Sequence, residues 1–177
     1  MRDVVLGLTS RMTQSPFELL GQPARMDLDD GQLEAKYLEL ARDCHPDFNL
    51  DVGEEERLRT LTRSAEINTA YRRLRDPWLR AEAIIEVADA QAMEVSKTLC
   101  PVFLMEALET RESVELSPPG DLPDLEIVLD KRVQDYIAEI GAHIEAGRPR
   151  EAATLLHQST YYRKALADLR ERIQTVT

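Results

Sequence analysis

The chain has 177 residues and a formal net charge of −11. Hydrophobic residues make up 43% and aromatic residues 5% of it, with only seven glycines, a composition that favours packed helices over a β-sandwich or a glycine-rich α/β fold. So strong a negative charge repels a phosphate backbone, and no dense basic patch offsets it, so we expect no binding to nucleic acid.

The two cysteines and the apolar runs also exclude several classes of protein. Cys44 and Cys100 are too few for a disulfide framework or a four-thiolate zinc site, and we expect no bound metal or cofactor. The apolar stretch at residues 4–8 is shorter than a signal-peptide core, and no later run approaches the roughly 20 apolar residues that span a membrane. We therefore predict a cytoplasmic protein without membrane association, in which residues 1–14 form a flexible tail. The alternative for these residues is an organellar targeting segment.

The first predicted elements are two helices. A serine–proline pair at residues 15–16 begins a short helix, because serine can cap a helix and proline suits its first position, and Gly21 ends it. The second helix begins at Asp29 or Asp30 and runs to about residue 43, where a nearby proline stops it. The apolar residues of the second helix that should face inward are Leu33, Tyr37 and Leu40.

Two more helices are predicted after a polar loop, over residues 54–75 and 78–88, and Asp76-Pro77 starts the second of them. The inward face of the first should consist of Leu58, Leu61, Ala65, Asn68, Tyr71 and Leu74. The inward face of the second should consist of Leu79, Ala83 and Val87. These four helices form one predicted domain, residues 15–88.

Residues 89–97 lose the apolar periodicity and are predicted to form a linker. Beyond the linker, residues 98–177 are predicted to form a bundle of three helices. The first of these begins near Lys97 or Pro101 and ends before the Ser-Pro-Pro-Gly break at residues 117–120. The predicted fold class is therefore all-α, with an N-terminal helical hairpin domain and a C-terminal three-helix bundle.

The other two helices of the bundle are long and amphipathic, and Gly147 and Pro149 separate them. The inward face of the first should consist of Leu122, Leu125, Leu129, Tyr136, Ile140 and Ile144. The inward face of the second should consist of Leu155, Ser159, Tyr162, Leu166, Leu169 and Ile173.

The helix that follows Pro101 has two apolar faces, since successive side chains turn by about 100° around a helix axis. The face that the bundle should bury consists of Phe103, Ala107, Thr110 and Val114. The opposite face consists of Leu104, Met105, Leu108, Glu109 and Glu112. An apolar strip rimmed by carboxylates is suited to a protein partner, because methionine packs adaptably and the acids fix orientation. The alternative is that this strip packs against the N-terminal domain.

His45-Pro46-Asp47 lies in the loop between two amphipathic helices, and that position makes it the most informative tripeptide of the sequence. One alternative is an ordinary turn that stops a helix, with an exposed imidazole. A second alternative is a metal site formed with Cys44, but no fourth ligand follows at a recognisable spacing.

Residues 15 to about 88 resemble a J-domain, and the specific resemblance is to the HscB family. The matching segments of the N-terminal domain are SPFELLG at 15–21, HPD at 45–47, AEINTAY at 65–71, LRDP at 74–77 and RAE at 80–82. A further segment, FLMEALE at 103–109, is similar to the client-binding helix of the family. The resemblance therefore extends beyond the J-domain into the bundle.

The resemblance implies a co-chaperone with no active site of its own. The J-domain would stimulate ATP hydrolysis by a DnaK/HscA-type chaperone, and the bundle would hold an IscU-type scaffold for iron–sulfur clusters. The implied chaperone-binding residues are His45, Pro46, Asp47, Lys36 and Arg42. The implied scaffold-binding residues are Leu104, Met105, Leu108, Glu109, Glu112 and Tyr161.

Two departures and two alternatives accompany this interpretation. Phe48 stands where J-domains often have lysine or arginine, and acidic residues interrupt the basic face of the helix that carries Lys36 and Arg42.

The alternatives are a J-domain co-chaperone for a different client and a structural adaptor whose J-like domain is inactive. No enzymatic activity is expected, because His143 and His157 have no partners for nucleophilic catalysis and no glycine-rich phosphate loop is present.

Overall fold

A computed structural model describes residues 14–44 and 53–176, and within these two ranges the chain contains helices and no strand. The helices are α1 (Pro16–Leu19), α2 (Asp30–Asp43), α3 (Glu54–Arg75), α4 (Pro77–Ala88), α5 (Ala92–Val95), α6 (Pro101–Leu116), α7 (Leu122–Glu145) and α8 (Pro149–Val176). The predicted all-α fold class is confirmed. The predicted tail lies outside the described residues except for residue 14.

Local sequence explains where the helices begin and end. Ser15 and Glu18 form a capping box on α1, in which the Ser15 hydroxyl accepts from the Glu18 N–H (3.2 Å) and the Glu18 carboxylate accepts from the Ser15 N–H (2.8 Å). Asp29 and Asp76 cap α2 and α4 through their carboxylates. Gly147 ends α7 at φ +67°, a conformation that side chains with a Cβ rarely adopt.

The described chain divides into two compact units. The first consists of residues 14–23, 28–44 and 53–74, and the second consists of residues 24–27 and 75–176. Helix α4 packs with α7 and α8 in the second unit. The linker predicted at residues 89–97 contains the single-turn helix α5. The division into domains at residues 15–88 and 98–177 stays a prediction. In the structure, α4 and α5 pack with the C-terminal helices.

In the first unit, α2 and α3 meet through two aromatic rings. Tyr37 stacks on Tyr71 with ring centroids 4.1 Å apart, and the Tyr37 hydroxyl donates to the Asn68 side-chain oxygen (2.9 Å). The predicted inward face of α2 is confirmed, since Leu33 is buried and the other two residues of the face are half-buried. The buried apolar residues of this unit are Phe17, Leu19, Leu20, Leu28, Leu33, Ile67, Ala70 and Leu74.

The inward face predicted for α3 was wrong over most of its length. Leu58 and Leu61 are 65% and 57% exposed, and the buried residues of α3 begin at Ile67. Ala65 and Asn68 are also exposed. The apolar spacing continues through the whole helix, but only the C-terminal half of α3 has a buried face. That face contains Ile67 and Ala70 in place of the predicted Ala65 and Asn68.

The inward face predicted for α4 was wrong at two of three positions, since Leu79 and Val87 are exposed and only Ala83 is buried. The helix buries Ala81 and Ile85 in a cluster with α7 and α8. Because α4 is apolar on several sides, its spacing did not determine which side packs inward. Its other buried residues are Arg80 and Ile84.

Helices α7 and α8 pack along each other and form the centre of the second unit. Their predicted inward faces are confirmed, because each of the twelve residues is buried or half-buried. Helix α6 packs mainly on α8 and completes the predicted three-helix bundle. The core around α6 includes Phe103, Leu129, Tyr136, Tyr162 and Leu169.

Candidate functional site

The two basic residues predicted to bind a chaperone lie on α2 but do not share a face. Lys36 donates to the Glu39 carboxylate (2.9 Å), so its charge is already paired. Arg42 is exposed in the last turn of α2. Six residues at about 100° each place the two side chains about 120° apart around the helix. His45, Pro46 and Asp47 lie outside the described residues.

The exposed strip predicted on α6 is present in the structure. Leu104, Met105 and Leu108 are 41%, 64% and 56% exposed, and Glu109 and Glu112 beside them are exposed as well. On the other side of the helix, the four residues predicted to face the bundle are buried or half-buried. We call the five exposed residues the α6 strip. A helix that already has a buried face does not need this second apolar surface for folding.

The carboxylates of the α6 strip are available to a partner. Neither Glu109 nor Glu112 forms an ion pair with any residue that the structure describes, whereas the neighbouring Arg111 pairs with Glu115 (2.9 Å). Both acids line a depression of about 420 Å³ that continues to Leu116. The strip therefore combines apolar side chains with two unpaired negative charges at one edge.

Both ends of α6 are fixed by contacts that hold the strip in place. At its start, the Cys100 sulfur accepts from the Phe103 N–H (3.4 Å). At its end, the Arg172 guanidinium of α8 donates to the Val114 carbonyl (2.5 Å) and the Ser117 carbonyl (2.6 Å). The residues after Ser117 are two prolines, which have no N–H to offer the last carbonyls of the helix. Arg172 supplies those donors instead.

Tyr161 of α8 lies beside the first half of α6. Its side chain is 46% exposed, and its ring meets the Phe103 ring edge to face, with centroids 5.6 Å apart and an interplanar angle of 84°. Because Phe103 precedes Leu104 on α6, this contact brings the tyrosine next to the helix that carries the strip. The structure thus places Tyr161 and the α6 strip on one part of the bundle.

Known proteins resemble this chain in sequence. Residues 100–170 match the model of a family described as the HSCB C-terminal oligomerisation domain. The co-chaperone protein HscB homolog of Vibrio parahaemolyticus is 31% identical over 166 residues, which cover 90% of this chain and 95% of that protein. The HscB homolog of an Azoarcus species is 32% identical over 133 residues, which cover 74% of this chain and 75% of that one. The chain belongs to the HscB family of co-chaperones.

Solved HscB structures share the fold. The chaperone HscB from Vibrio cholerae matches 93% of this chain and all of its own, with a TM-score of 0.78 and 25% identity. The human co-chaperone protein HscB matches 99% of this chain and 91% of its own, with a TM-score of 0.75 at 19% identity. The Jac1 co-chaperone from Saccharomyces cerevisiae matches 91% of this chain and 95% of its own, with a TM-score of 0.69 at 20% identity. The last two matches establish likeness of fold alone.

Neither a metal-binding cluster nor a membrane-spanning helix occurs in the part of this HscB-family chain that the structure describes. No group of three or more histidine, cysteine, aspartate or glutamate side chains there could hold a metal ion. Within the same residues, no helix has the length and apolar character needed to cross a bilayer.

Sequence reasoning missed the contacts that position the site. Arg172 stands 55 residues after Ser117 and was not singled out, although two prolines after a helix signal that its last carbonyls need donors from elsewhere. The ion pair between Asp89 and Arg150 (2.8 Å), which ties the segment before α5 to α8, was missed as well. The prolines indicate that donors are needed, but no local signal identifies Arg172 as their source or pairs Asp89 with Arg150.

Proposed function

We propose that this HscB-family chain stimulates the ATPase of a DnaK/HscA-type chaperone and delivers to it an IscU-type scaffold for iron–sulfur clusters. The observation that carries the proposal is the α6 strip. Three aliphatic or thioether side chains, 41–64% exposed, stand beside two carboxylates that have no ion-pair partner among the described residues. This composition is that of a protein-binding surface.

The strip accounts for both affinity and orientation in a complex with the scaffold. Leu104 and Leu108 lie one helical turn apart and form a continuous apolar ridge, while Met105 can adapt to an irregular partner surface. Glu109 and Glu112 would accept charge-assisted hydrogen bonds from arginine or lysine of the scaffold. Tyr161, at the edge of the ridge, would add an aromatic contact with a hydroxyl that can remain in water.

The chaperone-binding half of the proposal rests on His45-Pro46-Asp47 and on its place between α2 and α3. A docked loop can trigger an ATPase only if docking favours the hydrolysis-competent state of the enzyme, which is a coupling free energy between two sites. Asp47 would meet a cationic group of the chaperone, and Pro46 would limit the conformations of the loop. Arg42, which is exposed, would assist the encounter more than Lys36, which is paired with Glu39.

Steady-state ATP turnover by a purified DnaK-type chaperone tests this half. Asp47→Asn or His45→Gln should abolish the stimulation while helical content and melting temperature stay nearly unchanged, because residues of a loop contribute little to a core. Asp43→Asn, which removes an exposed carboxylate near the tripeptide, is the matched control and should keep the stimulation. Full stimulation by both loop variants would exclude the J-domain role.

Calorimetric titration with an IscU-type scaffold tests the other half. Truncating both leucines, Leu104→Ala/Leu108→Ala, should weaken binding by at least ~2 kcal/mol, or about 30-fold, with little change in folding. The control Ile127→Ala/Val95→Ala truncates two aliphatic side chains elsewhere, which are 68% and 54% exposed, and should leave affinity unchanged. The strip is not the scaffold site if the leucine variant binds normally.

The same two assays separate the alternatives. A chain that stimulates the chaperone but does not bind the scaffold is a J-domain co-chaperone for a different client. A chain that binds the scaffold or another client but gives no stimulation is a structural adaptor.

A further inference from the structure

A second concave surface lies on the C-terminal unit, beside the acidic edge of the α6 strip. Helices α6 and α7 each pack mainly on α8 and leave a cleft of about 420 Å³ between them, a volume typical of small-ligand sites. Thr110 and Ser113 of α6 line one side of it. At about 100° per residue, these two side chains lie roughly 140–160° around α6 from Leu108. Ser113 also lines the depression formed by Glu109 and Glu112, so the cleft adjoins the acidic edge of the strip.

Arg132 of α7 provides the charge of this cleft. Its guanidinium carbon lies 5.1 Å from the ring centroid of Tyr136 and 5.4 Å from that of Tyr162, and both tyrosines are buried. A planar guanidinium stacked on rings is held in place by cation–π attraction and keeps N–H donors for another group. The two tyrosines therefore form a platform under the guanidinium of Arg132, which is itself exposed.

The charged side chains that line the cleft, Lys131, Arg132 and Asp135, sum to one positive charge. Lys131 and Asp135 form an ion pair with each other (2.8 Å), so their charges cancel. Arg132 takes part in no ion pair within the described ranges, although Glu139 of the same helix acts on it electrostatically. A single unpaired cation in a concave site, on a chain of net charge −11, favours an anionic group as its partner.

The hydroxyl groups of the opposite wall restrict the class of anion. Thr110 donates its hydroxyl hydrogen to the Glu106 carbonyl (2.8 Å), and Ser113 donates to the Glu109 carbonyl (2.9 Å). Both oxygens therefore offer only lone pairs to a ligand, which suits a ligand with N–H donors and suits a phosphate poorly. Leu125 and Val128, which is exposed, add an apolar surface from α7.

We infer that the cleft binds a short peptide segment of a partner protein in which an aliphatic side chain lies next to a carboxylate. The carboxylate pairs with Arg132, the aliphatic side chain packs on Leu125 and Val128, and peptide N–H groups donate to Thr110 and Ser113. The cleft adjoins the α6 strip at Ser113 but contains none of the five strip residues, and binding there does not require the scaffold.

The experiment is a titration of the full-length, ¹⁵N-labelled chain with the capped dipeptide acetyl-Leu-Glu-amide, followed by amide and arginine side-chain NMR shifts. Acetyl-Leu-Gln-amide is the neutral control probe. The acidic dipeptide should shift the signals of Thr110, Ser113, Val128 and Arg132, with a dissociation constant in the millimolar range. The neutral dipeptide should bind roughly fivefold or more weakly, since it lacks the charge-assisted hydrogen bond.

Two arginine variants make the result specific. Arg132→Gln should lower the affinity for the acidic dipeptide to that of the neutral one. Arg163→Gln removes another guanidinium stacked on a ring, that of Trp78 at 4.4 Å, and should leave the affinity unchanged. Equal binding of the two dipeptides, shifts confined to other surfaces or no shifts at all would each overturn the inference.

Discussion

Replacing Arg172 with methionine should destabilise the C-terminal unit, because the guanidinium supplies donors to the Val114 and Ser117 carbonyls at the end of α6. A hydrogen bond to a charged group contributes about 1.5–3 kcal/mol where it is buried. These two are only partly buried, so water can replace part of what is lost. We expect the variant to lose about 2 kcal/mol, which lowers the melting temperature by roughly 4–8 °C in a protein of this size.

Arg170→Met is the matched control for Arg172→Met. Arg170 lies two residues earlier on α8 and forms two hydrogen bonds with carboxylates, to Glu126 and Asp130 (both 2.7 Å), but its side chain is 49% exposed. Exposed ion pairs contribute little to stability, so this variant should lose less than half as much as Arg172→Met. Denaturant titration followed by circular dichroism measures both. The reasoning fails if the two variants lose the same stability or if the Arg170 variant loses more.

Two further predictions concern the second unit. Phe103→Ala should cost about 3–5 kcal/mol in denaturant unfolding, because the side chain is buried between α6 and α8, and a cost below about 1 kcal/mol would contradict that packing. Arg150, by hydrogen bonding, holds the pKa of Asp89 below its ordinary 3.8, and the Gln91 N–H adds to this effect. The stability from a lowered pKa is present above about pH 4 and is lost as pH falls through the folded-state pKa. Asp89→Asn should therefore flatten the fall in melting temperature below pH 4, and an unchanged profile would argue against this contact.

The fold was predictable where one apolar stripe dominates a helix. Helices α7 and α8 are long, and each has a single stripe, from Leu122 to Ile144 and from Leu155 to Ile173, so only one side could face inward. Helix α4 has apolar residues on several sides, so the spacing alone does not show whether Leu79 or Ile85 is buried. Packing against α7 and α8 buries Ile85, and the sequence of α4 by itself does not predict that packing.

The site was predictable to the extent that it depends on one helix. The two faces of α6 follow from the positions of Phe103 and Leu104 around a single axis, and both were predicted correctly. The platform of Tyr136 and Tyr162 under Arg132 joins two helices, and only the packed chain brings it together. Contacts between residues distant in sequence have no periodic signal, which is why the cleft was not foreseen.

The way α6 is held has a consequence for the affinity of its strip. Phe103 fastens the first half of the helix to the core, and Arg172 fastens its last turn, so α6 is fixed at both ends on the side away from Leu104 and Leu108. A helix fixed in this way loses little conformational freedom when a partner covers its free side, and more of the contact energy appears as affinity. Arg172 should therefore contribute to binding at the strip without touching the partner, since any loosening of α6 must be reversed when the complex forms.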